Sequence, residues 1–140
     1  MEELLNFVKK VKASLEDEAI KKCYIGFYDF PEGACMDAST LLGVLLERNG
    51  FGVYRLVSAA NETSKLYSHA WLENDDYLVD ITASQFKSWP EQSLTIKLAD
   101  IPKHYQSFEI QFKNPVLQHN NVPDVGFYVA LNMVTEAIRA

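Results

Sequence analysis

Hydrophobic positions along the chain change period twice, and those changes mark out its elements. Leu4, Leu5, Phe7, Val8, Val11 and Leu15 fall at helical spacing with Glu and Lys on the opposite face, which predicts an amphipathic helix. The aromatic stretch over 23–33 (CYIGFYDFPEG) carries Gly and Pro and predicts an ordered loop. Ala38, Leu41, Leu42, Leu45 and Leu46 resume the helical period over 34–48. Asn49-Gly50 then predicts a left-handed stop.

Period two takes over from there. Gly52–Ala59 predicts a strand, and a polar break at Asn61–Ser64 separates it from a hairpin over 66–73 and 77–82. Ala70, Leu72, Tyr77 and Val79 form one apolar face of that hairpin, while Trp71 and Leu78 occupy the other. Two covered faces place the pair near the middle of a sheet. Residues 93–98 (SLTIKL) and 107–112 (SFEIQF) alternate as further strands. Asp124 is the expected cap of a last helix carrying Phe127, Leu131, Val134 and Ile138. With no repeat and no low-complexity segment, the expectation is one domain over 1–140. Its fold class is α+β, an antiparallel sheet with the helix beginning near Cys35 packed against it.

Composition narrows the function classes more than the fold. Hydrophobic content of 48% and charged content of 23% are ordinary for a globular chain. A net charge of −6 and a pI near 5.0 argue against a nucleic-acid partner, which favours a basic stripe. The opening Met-Glu-Glu does not read as a secretory leader. No run reaches the roughly 18 apolar residues of a membrane span. The expected setting is the cytoplasm, or export without an N-terminal signal, with no membrane partner. Two cysteines do not make a disulfide framework, and reduced thiols follow. The spacing of Cys and His lacks the tight ligand pairs of zinc sites, so no metal is expected, nor any other cofactor.

Candidate chemistry rests on Cys35, His69 and Asp80. Cys35 opens the second helix just after a polar, flexible Glu32-Gly33. A helix N-terminus favours the thiolate, which is the nucleophilic form. His69 and Asp80 lie on consecutive strand segments joined by Asn74-Asp75-Asp76. A two-residue loop at Asn74-Asp75 puts Asp80 directly opposite His69, with Cβ atoms roughly 4.5–5.5 Å apart on one face. A loop one residue longer puts them on opposite faces. Plainer roles exist for each residue. A lone cysteine is commonly a small buried hydrophobe, and Asp80 also suits a cap for the turn at Thr82-Ala83-Ser84. An isolated carboxylate in the apolar run Tyr-Leu-Val-Asp-Ile is costly unless something pairs with it.

Cysteine at a helix start, histidine in Ser-His-Ala-Trp-Leu-Glu and aspartate in Tyr-Leu-Val-Asp-Ile-Thr together resemble the transglutaminase-like branch of the papain-like cysteine hydrolases. The resemblance spans about residues 30–85 and implies a papain-like core in a compact, bacterial-type member without calcium dependence. It implies Cys35 as nucleophile, His69 as general base and acid, and Asp80 as the orienting residue. The activity implied is amide hydrolysis or acyl transfer of the protease, deamidase or transglutaminase type. The partner is then a protein or peptide substrate. Tyr28 and Trp71 are candidate substrate-binding aromatics, with Trp71 equally suited to the core. Two family features are missing. No glutamine precedes Cys35 to complete an oxyanion hole, the first being Gln85, and Pro31-Glu32-Gly33-Ala34 stands where acetyltransferases carry Arg-Gly-Gly. Tyr28 is the candidate second oxyanion donor beside the Cys35 N–H. The alternative is a catalytically silent module that keeps the fold for binding. Oligomeric state is not legible in the sequence.

Overall fold

Buried apolar stripes build this fold, and a computed structural model describes it over residues 1–61, 68–86, 89, 93–116 and 125–139. Helix α1 (Glu2–Leu15) buries Leu4, Val8, Val11 and Leu15, one side chain per turn on a single stripe. A short helix α2 (Glu18–Lys21) follows, its N-cap Asp17 accepting the Ala19 N–H at 2.9 Å. The aromatic loop is a 3₁₀ turn at Ile25–Phe27 and a run of turns containing a cis Phe30–Pro31 bond.

Helix α3 (Cys35–Arg48) is more deeply enclosed than its leucine stripe alone requires. Every residue from Ala38 to Leu46 is buried, including Ser39, Thr40 and Gly43. Thr40 returns its hydroxyl to the Met36 carbonyl at 2.8 Å. The helix stops where Asn49-Gly50 predicts. Gly50 takes φ 85°, its N–H bonds the Glu47 carbonyl, and the Phe51 N–H bonds the Leu46 carbonyl at 2.9 Å. That is a Schellman closure, and only glycine adopts its left-handed residue without a Cβ penalty.

Five strands form one sheet in the order β4-β3-β2-β1-β5, with every neighbouring pair antiparallel. They are β1 (Arg55–Asn61), β2 (Ser68–Glu73), β3 (Tyr77–Val79), β4 (Thr95–Lys97) and β5 (Phe108–Pro115). A four-residue helix α4 (Lys103–Gln106) leads into β5, and α5 (Val125–Arg139) ends the described chain. Residues 62–67, at the polar break and the expected start of the hairpin, and the expected cap Asp124 lie outside the described residues. The segment expected as a strand over 93–98 is shorter: it pairs only at Thr95–Lys97 and tightens into a 3₁₀ turn at Leu98–Asp100.

Alternation along the strands separates two cores. Leu56, Ala70, Leu72 and Val79 join the buried residues of α1, α3 and α5 in a mainly aliphatic cluster. On the other face Val57, Ala59, Trp71, Leu78, Ile96 and Tyr105 form a smaller, aromatic one. Both faces of β2 and β3 are therefore covered, as their composition predicts. Among the described residues, no helix is long and apolar enough to cross a membrane.

The hairpin register differs from the expected one in an instructive way. Leu72 pairs with Val79 and Glu73 with Leu78, so Asp80 does not stand directly opposite His69. The turn sits one residue later than expected, at Asp75-Asp76, with the Asn74 N–H bonded to the Tyr77 carbonyl at 3.0 Å. Asn74 decides this. Its side-chain oxygen accepts the N–H groups of both Asp76, at 2.9 Å, and Tyr77, at 2.7 Å, an Asx turn that starts the loop at Asn74 itself. Moving a two-residue loop by one position moves the register by two. An even shift leaves every side chain on its original face.

Candidate functional site

Asp80 stands where the chain leaves the ladder. Its own N–H bonds the Leu94 carbonyl at 2.8 Å, which anchors the backbone beside the start of β4. Continuing the β2–β3 ladder would set Asp80 opposite Trp71, so His69 is its diagonal neighbour on the same face. Diagonal pairs are within reach of longer side chains, and these two meet. The His69 Nε2 and Asp80 Oδ2 atoms are 2.7 Å apart, with both side chains fully buried.

The remaining capacity of the carboxylate is also used. Tyr105 on α4 donates its hydroxyl to Oδ2 at 2.6 Å. On the other oxygen, Oδ1 accepts the Thr82 N–H at 3.2 Å and, at 3.5 Å, the Thr82 hydroxyl. One oxygen thus faces the imidazole and the other the turn at Thr82. Both oxygens of this buried carboxylate have hydrogen-bond partners.

His69 is 1% exposed and sits in an aromatic enclosure. Phe86 meets its ring edge-on at 4.7 Å between centroids, with Trp89 at 5.6 Å, Trp71 at 5.7 Å and Phe108 at 6.1 Å. Burial pulls the imidazole down, but the charge and hydrogen bond of Asp80, together with the hydrogen bond and charge of Cys35, outweigh it. The net result pushes His69 up to about 9. Cys35 thus stands close enough to the ring to act on it. With Nε2 committed to Asp80, the thiol is left with Nδ1.

Cys35 is the first residue of α3 and is half-buried with a free thiol. The preceding loop is held against that first turn. Tyr24 donates its hydroxyl to Asp37 at 3.3 Å, and Gly26 lies so close that a Cβ there would run into the Asp37 carboxylate and the Tyr24 ring. Burial pushes the Asp37 carboxyl up, against the Tyr24 hydrogen bond, which lowers it. Cys23 is placed differently: its Sγ lies 3.2 Å from both the Ala19 carbonyl and Met133 Sδ, and it packs against the aliphatic core.

The two aromatic candidates part company. Trp71 is 3% exposed and packs edge-on against Tyr105 at 5.4 Å, with its indole N–H on Glu73 at 2.8 Å. It supports the imidazole from within the core. Tyr28 follows the 3₁₀ turn at Ile25–Phe27 and is 53% exposed.

Two residues at this cluster escape sequence reasoning. Tyr105 lies 25 positions beyond Asp80, and nothing local in Lys-His-Tyr-Gln marks it. Gln85 places Nε2 3.1 Å from His69 Nδ1 and 3.2 Å from the Thr82 hydroxyl. The signal that reveals Gln85 is its spacing from Asp80 and Thr82 across a tight turn, where the 3₁₀ segment Ala83–Gln85 folds the side chain back. Among the described residues, no three Cys, His, Asp or Glu side chains group as a metal site. No family model matches the chain, and neither does any curated protein or solved structure.

Proposed function

We propose that the chain is a small cysteine acyl-transfer enzyme of the transglutaminase-like, papain-like type, acting on an amide of a protein or peptide. One observation carries the reading: a buried imidazole paired through Nε2 with a buried carboxylate, with a thiol at a helix start beside the same ring. A nucleophile, a base within hydrogen-bond reach and a third group orienting the base are what such chemistry needs.

In this reading Cys35 passes its proton to His69 Nδ1, and the thiolate attacks the amide carbonyl carbon. His69 returns the proton to the departing nitrogen as the C–N bond breaks, leaving a thioester and a free amine or ammonia. Water then attacks the thioester, again losing its proton to His69, and the thiolate departs to give a carboxylic acid. A primary amine in place of water gives a new amide. Asp80 holds the ring tautomer with Nε2–H and stabilises the imidazolium formed in each half-reaction. The Cys35 backbone N–H, unpaired at the first turn of α3, is the first oxyanion donor, and Tyr28 is the candidate second.

A second reading, a silent binding module, has the Gln85 amide on its side, because that group sits on the nitrogen the thiol proton must reach. A thiol-reactive probe separates the two readings. The enzyme reading expects Cys35 to label at least tenfold faster than Cys23, with that excess lost in His69→Ala. Mass spectrometry of polypeptides incubated with the protein, scored for cleavage, deamidation and amine incorporation, then identifies the acceptor. Equal labelling of the two cysteines, with no mass change across a broad protein mixture, sinks the enzyme reading.

A further inference from the structure

The position of Gln85 carries an inference that rests on the proposed acyl-transfer reading and adds a control element to it. The argument starts at Asp80, which only accepts hydrogen bonds when ionised. The Thr82 hydroxyl near Oδ1 therefore donates to it, and the hydroxyl oxygen is left to accept. Gln85 Nε2 lies 3.2 Å from that oxygen and 3.1 Å from His69 Nδ1. The two hydrogens of one NH₂ group match these two acceptors. This chain of bonds agrees with the amide nitrogen facing an uncharged ring.

A donor aimed at Nδ1 requires a lone pair there. Nδ1 has one such site, and the thiol proton must go to the same place. Gln85 and Cys35 therefore compete for one nitrogen. We propose that Gln85 is a positioning residue that restrains the cysteine, holding Nδ1 as an acceptor and opposing transfer of the Cys35 proton to His69. The other groups facing the ring are Asp80 from the end of β3, Cys35 from α3 and, through Asp80, Tyr105 from α4. The rest of the enclosure is aromatic: Trp71, Phe86, Trp89 and Phe108. Asp80 and the thiolate favour a charged ring, and Gln85 is the group that opposes it.

The restraint predicts a gain on deletion. Losing one hydrogen bond of ordinary strength corresponds to about threefold to tenfold in an equilibrium. Gln85→Ala should raise the rate of Cys35 alkylation by iodoacetamide by up to about that factor near pH 9, where the uncharged ring that Gln85 holds is populated. Cys23 in the same molecule is the internal reference, since a merely loosened fold raises both cysteines together. In the Cys35→Ala background, NMR titration of the His69 ring should show a higher pKa with Gln85→Ala than with Gln85 intact. Gln85→Glu keeps the length while exchanging donor for acceptor, and it should raise the titration further still. A His69 ring that titrates at or below the parent in both variants overturns the proposal, as does unchanged or slower Cys35 alkylation in Gln85→Ala. The underlying enzyme reading fails separately, if His69→Ala leaves wild-type Cys35 alkylation unchanged.

Discussion

The two faces of strand β2 make opposite uses of burial. Ala70 and Leu72 point into the aliphatic core beneath α3, where many hydrophobic side chains of similar volume serve nearly as well. His69, Trp71 and Glu73 point the other way, and each is tied to a named partner: Asp80, Glu73 and Lys113 respectively, the last at 2.9 Å. The aliphatic face stabilises by area, about 1.5–3 kcal/mol for each large side chain removed from water. On the polar-aromatic face, burial instead raises the cost of every unmet hydrogen bond, so the arrangement is specific or it is unstable. Six residues of one strand thus hold a generic core and a group of ordered polar atoms back to back.

That contrast breaks most visibly in reactivity. Cys35→Ala should abolish amide turnover outright while changing stability by less than about 1 kcal/mol, because a half-buried thiol contributes little packing. His69→Ala should lower turnover by about 10²–10⁴, the usual worth of a general base. Assays of hydrolysis or amine incorporation alongside urea denaturation read both quantities. Turnover surviving in Cys35→Ala ends the assignment of that residue as nucleophile.

The aliphatic face should behave in the reverse manner. Leu72→Ala is expected to cost about 2–5 kcal/mol through the cavity it leaves. The ratio of Cys35 to Cys23 labelling in the folded protein should stay at the wild-type value. A labelling ratio that collapses along with stability would show that the two faces are not separable.

Smaller effects sharpen the account of the buried pair. Tyr105→Phe removes one donor from Asp80 Oδ2 and should destabilise by about 1–3 kcal/mol, the cost of a buried charge losing a hydrogen bond. Equal denaturation midpoints for Tyr105→Phe and wild type would mean that Thr82 and His69 satisfy the carboxylate unaided. The pH dependence is gentler. His69 is raised from an ordinary 6.5 to about 9, so the folded state holds its proton more tightly than the unfolded chain does. The resulting stabilisation is fully present below about pH 6.5 and lost as pH rises through about 9. Urea midpoints should therefore fall between pH 6 and pH 10 in wild type, with a shallower fall in Asp80→Asn. Parallel curves for the two proteins would remove Asp80 as the cause of the raised value.

Periodicity by itself determined the three long helices, the hairpin, the two covered faces of its strands and the stop at Asn49-Gly50, because these depend on local spacing and on the backbone freedom of glycine. Periodicity allowed His69 and Asp80 to share a face, and the even length of the turn made it so, since parity survives any even shift of register. Tertiary structure decided what local spacing cannot carry. The Asx turn at Asn74 chose one of two turns of equal length and made His69 and Asp80 diagonal rather than opposite. Packing of α4 against the sheet brought Tyr105 to the carboxylate from a segment with no local mark of that role. A single 3₁₀ turn folded Gln85 back onto His69. Contacts between elements distant in sequence are selected by the satisfaction of buried polar atoms, and that becomes visible only when the chain is assembled.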